Sequence, residues 1–390
     1  MQHVGIICEY NPFHSGHALL LRRVRTAKTV ICLMSGNFTQ RGEAALLPPV
    51  SRAAMALAAG ADLVLELPFP FAAGSARYFA TAGVRALTAL GADTLAFGSE
   101  SADASALLAA ARRTLEADFA QKCANGAKNK GDAAIYFDAL GEDRIPPNDI
   151  LGLEYARAVL QTGGAMVLHP ILRVGAGYHD TNAEQVYPSA TALRQKLRAG
   201  GDIMADLPDT VRNPWREALE AYGGVADTER LGAPLLAHLR SMAIEKEKDP
   251  RTGAEIADCG GGLLDRLIAV AREAGDYPTF CRMAATKKYT DGRIRRALLY
   301  VLAGVTYADL EAPPAYLRLL GANERGRAFL SETRKTRTVP VVTKAADIAA
   351  LGENVARSHR LSAIADGLYA LCLPGAVPPS VLAKQPPLML

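Results

Sequence analysis

Two histidines near the beginning of the chain have a spacing that suits phosphate chemistry. His14 and His17 form a His-x-Gly-His pattern around Gly16, between an apolar run at residues 4–8 and an amphipathic stretch at residues 18–28. This arrangement predicts a turn between a strand and a helix. The N–H groups and dipole of a helix N-terminus favour anions, and imidazoles can donate hydrogen bonds to them. We interpret the pattern as a phosphate site, and ordinary polar loop residues are the alternative.

A second polar segment, SGNFTQRGE, follows the next apolar run at residues 30–34. In an open parallel sheet this segment lies at the same carboxyl edge as the histidines and can close the site. Ser35 and Asn37 are suited to hydrogen-bond a small polar substrate. Arg41 is suited to hold a carboxylate or phosphate in bidentate geometry. A plain solvent-exposed loop is the alternative interpretation.

Three later positions extend the candidate site. Gly98 in FGSE permits a close backbone approach after the fourth apolar run, although a glycine that only ends a strand is also compatible with this position. Asn148 in PNDILGLEY opens a predicted helix, where pure capping is the alternative. Arg173 follows the fifth apolar run, where a cation would meet phosphates, and a surface arginine is the alternative.

The segment SATALR begins another predicted helix and offers a second phosphate site. The hydroxyls of Ser189 and Thr191 lie at its N-terminus with Arg194 one turn further on, and capping explains Ser189 but not Arg194. A triphosphate would fit between the two helix ends, which offer neither an obvious carboxylate base nor a nucleophilic Ser or Cys. This favours transfer at an α-phosphate, where the protein positions groups and stabilises charge while Mg²⁺ is carried on the phosphates.

Short apolar runs alternate with amphipathic stretches over the first 200 residues. The apolar runs lie at residues 4–8, 30–34, 63–67, 94–97 and 166–171, and the amphipathic stretches at residues 16–28, 51–60, 75–90, 104–115, 155–161 and 190–197. The pattern predicts an α/β fold with a parallel, Rossmann-like sheet covered by helices on both faces. The glycine-rich G-x-G-x-x-G and G-x-x-x-x-G-K-[ST] fingerprints are absent, which disfavours a dehydrogenase and a Walker-type ATPase.

Composition excludes several classes of protein. The chain has 390 residues, is 22% charged and 49% hydrophobic, and has a net charge of +4, unlike a disordered tail or a collagen-like rod. Its six cysteines are scattered without a C-x-x-C pair, so we expect reduced thiols and no protein-bound metal. Without a signal peptide or an 18-residue apolar stretch, we expect a cytoplasmic protein with no membrane partner.

Helical periodicity dominates beyond residue 200, which predicts a catalytic domain at residues 1–200 and a mainly helical domain at residues 201–390. Residues 281–340 contain 12 Lys or Arg against 5 Asp or Glu. Within them, the segment KKYTDGRIRR suits a nucleic-acid backbone, and a solvated helix start is the alternative. The candidate RNA contacts are Lys287, Lys288, Arg293, Arg295 and Arg296.

These motifs resemble a known family. The His-x-Gly-His turn and the later Ser-x-Thr-x-x-Arg segment are similar to the nucleotidyltransferase superfamily. More narrowly, EYNPFHSGH, SGNFTQRGE, FGSE, PNDILGLEY, RVGAGYHD and SATALR, in this order, resemble the bacterial tRNA(Met) cytidine acetate ligases. The resemblance implies a nucleotidyltransferase-type sheet and a helical domain that binds tRNA. It also implies that acetate and ATP form acetyl-adenylate and pyrophosphate, and that the acetyl group passes to N4 of the wobble cytidine of elongator tRNA(Met).

The resemblance further implies roles for individual residues, with His14 and His17 catalytic and the acetate near the loop of Ser35, Asn37 and Arg41. The implied ATP contacts are Ile7, Cys8, Glu9, Tyr10, Asn11, Phe13, His14, Gly16, His17, Leu20, Gly98, Asn148 and Arg173. The wider superfamily adds the γ-phosphate and pyrophosphate contacts Ser189, Thr191 and Arg194. Asp149 departs from the pattern, which is expected to have asparagine there.

Two other functions stay open at this point. A small-molecule adenylyltransferase that makes a dinucleotide cofactor would use the same N-terminal site but has no use for a basic helical domain. A nucleotide-dependent RNA-binding or sensor protein would bind ATP without chemistry.

Overall fold

A mixed β-sheet dominated by parallel strands forms the centre of the molecule. The computed structural model describes residues 1–125, 132–141, 145–173 and 188–390, so the RVGAGYHD motif lies outside the described residues from position 174 onward. The strands are β1 (His3–Cys8), β2 (Thr29–Ser35), β3 (Leu63–Leu67), β4 (Thr94–Ser99), β5 (Val167–Leu172), β6 (Leu317–Ala322), β7 (Val341–Val342) and β8 (Leu388–Met389). Their order is β5-β4-β1-β2-β3-β6-β7, and β8 pairs with β6.

The helices follow one another along the chain in two groups. Those of the first half are α1 (Ser15–Arg23), α2 (Pro49–Ala58), α3 (Ala76–Leu90), α4 (Ala104–Thr114), α5 (Phe119–Ala124), α6 (Asp132–Leu140), α7 (Pro147–Gln161) and α8 (Ala190–Arg198). Those of the second half are α9 (Asp209–Tyr222), α10 (Gly232–Lys248), α11 (Leu263–Glu273), α12 (Tyr277–Ala284), α13 (Asp291–Ala303), α14 (Tyr307–Glu311), α15 (Glu324–Glu332), α16 (Glu353–Cys372) and α17 (Pro379–Lys384).

The five predicted apolar runs all become strands, and the predicted fold class is confirmed. Strands β5, β4, β1, β2 and β3 are parallel to their neighbours. Every residue of β2 is buried, as expected for a central strand covered on both faces. Alternate residues face opposite cores: Ile7 and Leu33 pack with α3, α4 and α7, whereas Ile6 and Met34 pack with α1, α2 and α9.

The first predicted helix is shorter than expected. The amphipathic pattern predicted helix to residue 28, whereas α1 ends at Arg23. Leu21, Val24 and Ala27 are all buried, so the apolar spacing continues after the backbone has left the helix. The residues after Arg23 form turns, with the N–H of Arg25 bonded to the carbonyl of Arg22 at 3.3 Å.

The second half of the chain also contributes strands, which sequence patterns did not predict. β6 pairs with β3 in the antiparallel sense, and β7 and β8 both pair with β6 in parallel. The division at residue 200 stays a prediction, and the sheet contains strands from both sides of it. Within the described ranges, no helix combines the length and apolarity that would let it cross a membrane.

A separate hydrophobic core holds the C-terminal helices together. Leu239, Leu267 and Tyr300 belong to it, and it draws mainly on α10, α11, α12, α13 and α16. The Tyr300 hydroxyl lies 3.3 Å from the carbonyl of Pro70 and 3.2 Å from that of Ala73, in the segment after β3. The helical part is therefore fastened to loops that leave the carboxyl edge of the sheet.

Candidate active site

The two histidines cap the N-terminus of α1 with their own side chains. The Gly16 N–H donates to His14 Nδ1 at 3.0 Å, and the His14 N–H donates to His17 Nδ1 at 3.2 Å. The rings stack with centroids 3.7 Å apart. A Cβ at Gly16 would lie 2.8 Å from the His14 ring, so glycine is required between them. The helix begins here because the imidazoles satisfy N–H groups that a first helical turn leaves free.

Both imidazoles are neutral at physiological pH. Burial, with Arg173 and Arg194 nearby, lowers the pKa of His14 to about 4. Burial, His14 and Arg173 lower the pKa of His17 well below its ordinary value. Because each Nδ1 accepts a backbone hydrogen bond, the proton of each neutral ring resides on Nε2. Neither Nε2–H has a protein partner among the described residues, so both are free to donate to a phosphate oxygen.

The turn before α1 is held by buried side chains. Tyr10 and Phe13 are almost fully buried and pack against the His17 ring, with centroids 4.9 and 5.5 Å away. The N–H of Leu46 donates to Asn11 Oδ1 at 2.7 Å. Ile7 and Cys8 end β1 and Leu20 lies on α1, so the predicted ATP-binding stretch is contiguous in space.

The SATALR segment reaches the same turn from α8. Ser189 caps this helix by accepting from the Ala192 N–H at 3.2 Å. Arg194, which is buried, donates through Nη1 to the carbonyl of Asn11 at 2.7 Å and through Nη2 to Thr191 Oγ1 at 3.3 Å. The structure thus brings the two predicted helix ends together, with Arg194 as the link between them.

Gly98, Asn148 and Arg173 form a second group at the end of β4. Arg173 Nη1 donates to Asn148 Oδ1 at 3.4 Å, and Asn148 Nδ2 donates to Glu100 Oε1 at 2.5 Å. A Cβ at Gly98 would lie 3.2 Å from Arg173 Cγ, tight enough to displace that side chain. Gly98 therefore leaves room for Arg173 to pass toward Asn148.

Asp149, the departure from the family pattern, has a clear structural role. Its carboxylate accepts from Ser99 Oγ at 2.5 Å and from the N–H groups of Glu100 and Ser101, both at 3.0 Å. It is almost fully buried. These three bonds fix the loop after β4 and hence the backbone beside Asn148, so an acidic residue serves this position well.

The loop after β2 divides between contact with the site and burial. Arg41 Nη1 donates to Thr191 Oγ1 at 3.4 Å, which places its guanidinium beside α8. Ser35 is fully buried and lies 3.4 Å from Arg52 Nη1, whereas Asn37 donates to Asp366 Oδ1 at 2.5 Å. Contact of these side chains with acetate stays a prediction.

Sequence reasoning missed Arg52, which holds the carboxyl edge together. Its guanidinium is buried and donates to the carbonyls of Leu47 at 2.9 Å, Glu9 at 2.6 Å and Gly36. Burial lowers the pKa of Arg52, and carbonyl oxygens surround the cation instead of one carboxylate. The signal that could have found it is a lone arginine in the otherwise apolar helix PVSRAAMALA.

Glu43, also missed, is surrounded by arginines from two directions. Its buried carboxylate lies 2.7 Å from Arg295, 3.5 Å from Arg198 and 3.7 Å from Arg194. Arg194 and Arg198 lie on α8, whereas Arg295 lies on α13. Glu43 therefore connects the predicted phosphate helix to the predicted RNA-binding segment.

The predicted RNA contacts differ in how free they are. Arg295 pairs with Glu43, and Arg296 pairs with Asp258 at 2.9 Å. Arg293 donates to backbone carbonyls at positions 258 and 260, and Lys288 donates to the carbonyl of Gly261 at 2.9 Å. Lys287 is exposed. The arginines of this segment are thus largely occupied by contacts within the protein, and RNA binding there stays a prediction.

Acidic and cysteine side chains do not assemble into a metal centre in the ranges that the structure describes. There, no group of three or more His, Cys, Asp or Glu residues is arranged to hold a metal ion. The cysteines in these ranges are all free, and Cys8, Cys32, Cys259 and Cys372 are buried.

Comparison with known proteins assigns the chain to a family. The sequence model of the HIGH Nucleotidyl Transferase family matches residues 1–380. The tRNA(Met) cytidine acetate ligase of Syntrophotalea carbinolica is 38% identical over 88% of this chain and 85% of its own, and that of Acetivibrio thermocellus is 32% identical over 95% of both chains. Thermotoga maritima TmcAL matches over 100% of both chains, with a TM-score of 0.89 and 29% identity for the apo form, and 0.87 and 28% for the form bound with alpha-thio ATP. The chain belongs to the tRNA(Met) cytidine acetate ligase family, within the HIGH nucleotidyl transferases.

Proposed function

We propose that this protein uses ATP to activate acetate and then acetylates N4 of the wobble cytidine of elongator tRNA(Met). The observation that carries the proposal is the pair of neutral imidazoles at the start of α1, with free Nε2–H donors beside Arg173 and Arg194. The names of the relatives supply acetate, cytidine and tRNA(Met), and the TmcAL structure bound with alpha-thio ATP supplies the nucleotide.

In the first step, a carboxylate oxygen of acetate attacks the α-phosphorus of ATP. The new O–P bond forms acetyl-adenylate, and the bond between the α-phosphorus and the bridging oxygen breaks to release pyrophosphate. Negative charge accumulates on the phosphate oxygens during this transfer. His14 and His17 donate to these oxygens through Nε2–H and need no proton transfer to do so, since they are already neutral donors.

Pyrophosphate is held from the side of α8. Ser189, Thr191 and Arg194 surround the N-terminus of that helix, and Arg41 joins them through Thr191. We assign the acetate to the loop of Ser35, Asn37 and Arg41, where the Arg41 guanidinium can pair with a carboxylate. Mg²⁺ is expected to accompany the triphosphate as part of the substrate.

In the second step, N4 of cytidine attacks the acetyl carbonyl carbon. The C–N bond of the acetamide forms, the bond to the AMP oxygen breaks, and the amine loses one proton as AMP leaves. The nucleophile is again a substrate, so the protein contributes alignment and charge stabilisation. The tRNA is expected to lie against the basic residues of the C-terminal half, of which Lys287 and Lys288 are the most exposed.

The test is the identity of the acetyl donor. Purified protein is incubated with unmodified tRNA(Met), ATP and isotopically labelled acetate, and the nucleosides are then analysed by mass spectrometry. We expect labelled N4-acetylcytidine at the wobble position, and none when ATP is omitted. Acetylation only with acetyl-coenzyme A as donor, or no acetylation of any cytidine, would contradict the proposal.

A further inference from the structure

The far end of α1 has cationic charge that the protein itself does not use. Arg22, Arg23 and Arg25 follow one another closely and are all exposed. Within the described residues, none of the three forms an ion pair or a side-chain hydrogen bond. Arg22 and Arg25 lie in one turn, since their backbones are bonded at 3.3 Å. Unpaired arginines concentrated in this way are costly to leave facing one another unless a partner is bound.

A groove runs along α1 from the catalytic turn to these arginines. Its volume is about 860 Å³, and its lining includes Ser15, Ala18, Arg22 and Arg25. Ser15 directly follows His14, and the N–H of Ala18 donates to the His14 carbonyl at 3.2 Å. Ser15, Ala18 and Arg22 are spaced to share one face of the helix, over roughly 10 Å. The groove is therefore continuous with the site of the chemistry.

The opposite wall of the groove is electrically balanced. Its two carboxylates belong to Asp206, paired with Lys196 at 2.8 Å, and Asp209, paired with Arg212 at 2.6 Å. Arg212 also donates to the carbonyl of Met204 at 3.0 Å. The unpaired charge in the groove is thus the two positive charges of Arg22 and Arg25, which favours an anionic occupant.

We propose that this groove binds the ribose-phosphate backbone of the RNA strand next to the cytidine in the active site. The inference rests on the proposed function, because an RNA base that reaches His14 must bring its own flanking phosphates past Ser15. Guanidinium groups bind phosphates in bidentate geometry, and a polar groove open to solvent suits an extended, unstacked strand. An acidic peptide would meet the same charges but has no reason to enter beside the nucleotide site.

The experiment compares two arginines in the groove with one outside it. The double variant Arg22→Ala, Arg25→Ala and the control Arg23→Ala are titrated with tRNA(Met) at several salt concentrations. Each lost phosphate contact on a single strand lowers the slope of log K against log salt by about 0.7, so we expect the double variant to lose about 1.4 and to bind roughly 10-fold more weakly. Arg23→Ala should retain both the affinity and the slope.

Further variants separate RNA binding from other effects. Arg22→Lys with Arg25→Lys keeps the charge and should restore most of the salt slope, which a role in folding would not predict. Unchanged affinity and slope in the double alanine variant, or an equal loss in Arg23→Ala, would overturn the proposal. So would a parallel loss of binding to poly-glutamate with an affinity matching that for RNA. A wild-type protein that binds tRNA through these arginines but never acetylates it would contradict only the proposed function.

Discussion

Two basic segments of the molecule use their arginines in opposite ways. At the end of α1, Arg22, Arg23 and Arg25 are exposed and unpaired within the described chain. On α13, Arg295 and Arg296 are partly buried and form ion pairs with Glu43 and Asp258. The second segment is the more conspicuous in the sequence, yet much of its charge stabilises the contact between the helical part and the loops of the active site.

This difference shows that a local excess of basic residues does not by itself locate a nucleic-acid surface. Charge becomes available to a partner only where no acidic group or carbonyl of the protein has already bound it. Glu43 illustrates the point, because one buried carboxylate engages Arg194, Arg198 and Arg295. The free charge lies instead beside the catalytic turn.

Reversing charge in each segment breaks the comparison most severely. Arg295→Glu places a carboxylate against the buried Glu43, and we expect it to lower the free energy of unfolding by about 3 to 5 kcal/mol. Arg23→Glu, at an exposed and unpaired position, should change it by less than about 0.5 kcal/mol. Urea denaturation followed by circular dichroism measures both. Equal stability of the two variants would show that the pairing with Glu43 contributes nothing.

The two ends of α1 should be separable by function. His14→Ala removes one Nε2–H donor to the phosphates, so we expect acetate-dependent pyrophosphate exchange to fall about 100-fold to 1000-fold. Binding of tRNA should stay within about twofold of the wild type, because the arginines at the other end remain. Radiolabel exchange and filter binding measure the two quantities. A matching loss of RNA affinity would contradict the division of labour along α1.

The pH dependence of stability tests whether α1 begins without charge. The pKa of His14 is lowered in the fold from 6.5 to about 4, so the unfolded chain binds a proton that the native chain does not. Stability therefore falls as the pH drops below 6.5. We expect the stability difference between wild type and His14→Gln to shrink by about 2 kcal/mol from pH 7.5 to pH 5.

Denaturation of both proteins at each pH gives this difference directly. Burial and Glu66 raise the pKa of Asp366 to about 7, which produces the opposite trend, but it does so in both proteins and cancels in the comparison. A constant difference across this range would mean that His14 is charged or exposed in the native state.

The smallest effect belongs to the exposed lysine of the second segment. Lys287→Ala removes a cation that is free to reach RNA, and we expect tRNA to bind two- to threefold more weakly, with a slope lower by about 0.7 to 0.9. Salt-dependent titration measures this change. An effect larger than that of the Arg22 and Arg25 double variant would reverse the ranking of the two segments.

Much of the fold could be predicted from the order of apolar runs. The runs that became β1 to β5 are short, nearly continuous and separated by amphipathic stretches, which is the local signature of a parallel sheet. The carboxyl edge of that sheet brings Arg194 to Asn11 and Arg173 to Asn148, as expected for residues at strand ends and helix starts.

The remaining features depend on contacts between distant parts of the chain. β6 becomes a strand because it pairs with β3, more than 240 residues earlier, and its own sequence LRLLGA has no regular alternation. The roles of Arg52 and Glu43 likewise follow from burial beside carbonyls or arginines of other elements. Whether a charged side chain is free or occupied is a property of the folded chain, so composition could not distinguish the two basic segments.

The most direct test of the account is exchange of labelled pyrophosphate into ATP with acetate as the only added co-substrate. The proposed first step is reversible and needs no tRNA, so we expect exchange with acetate and ATP alone. Exchange that requires a nucleoside monophosphate would identify a small-molecule adenylyltransferase. Its absence with every partner would identify a protein that binds the nucleotide without chemistry, and either result would contradict the activation of acetate at His14 and His17.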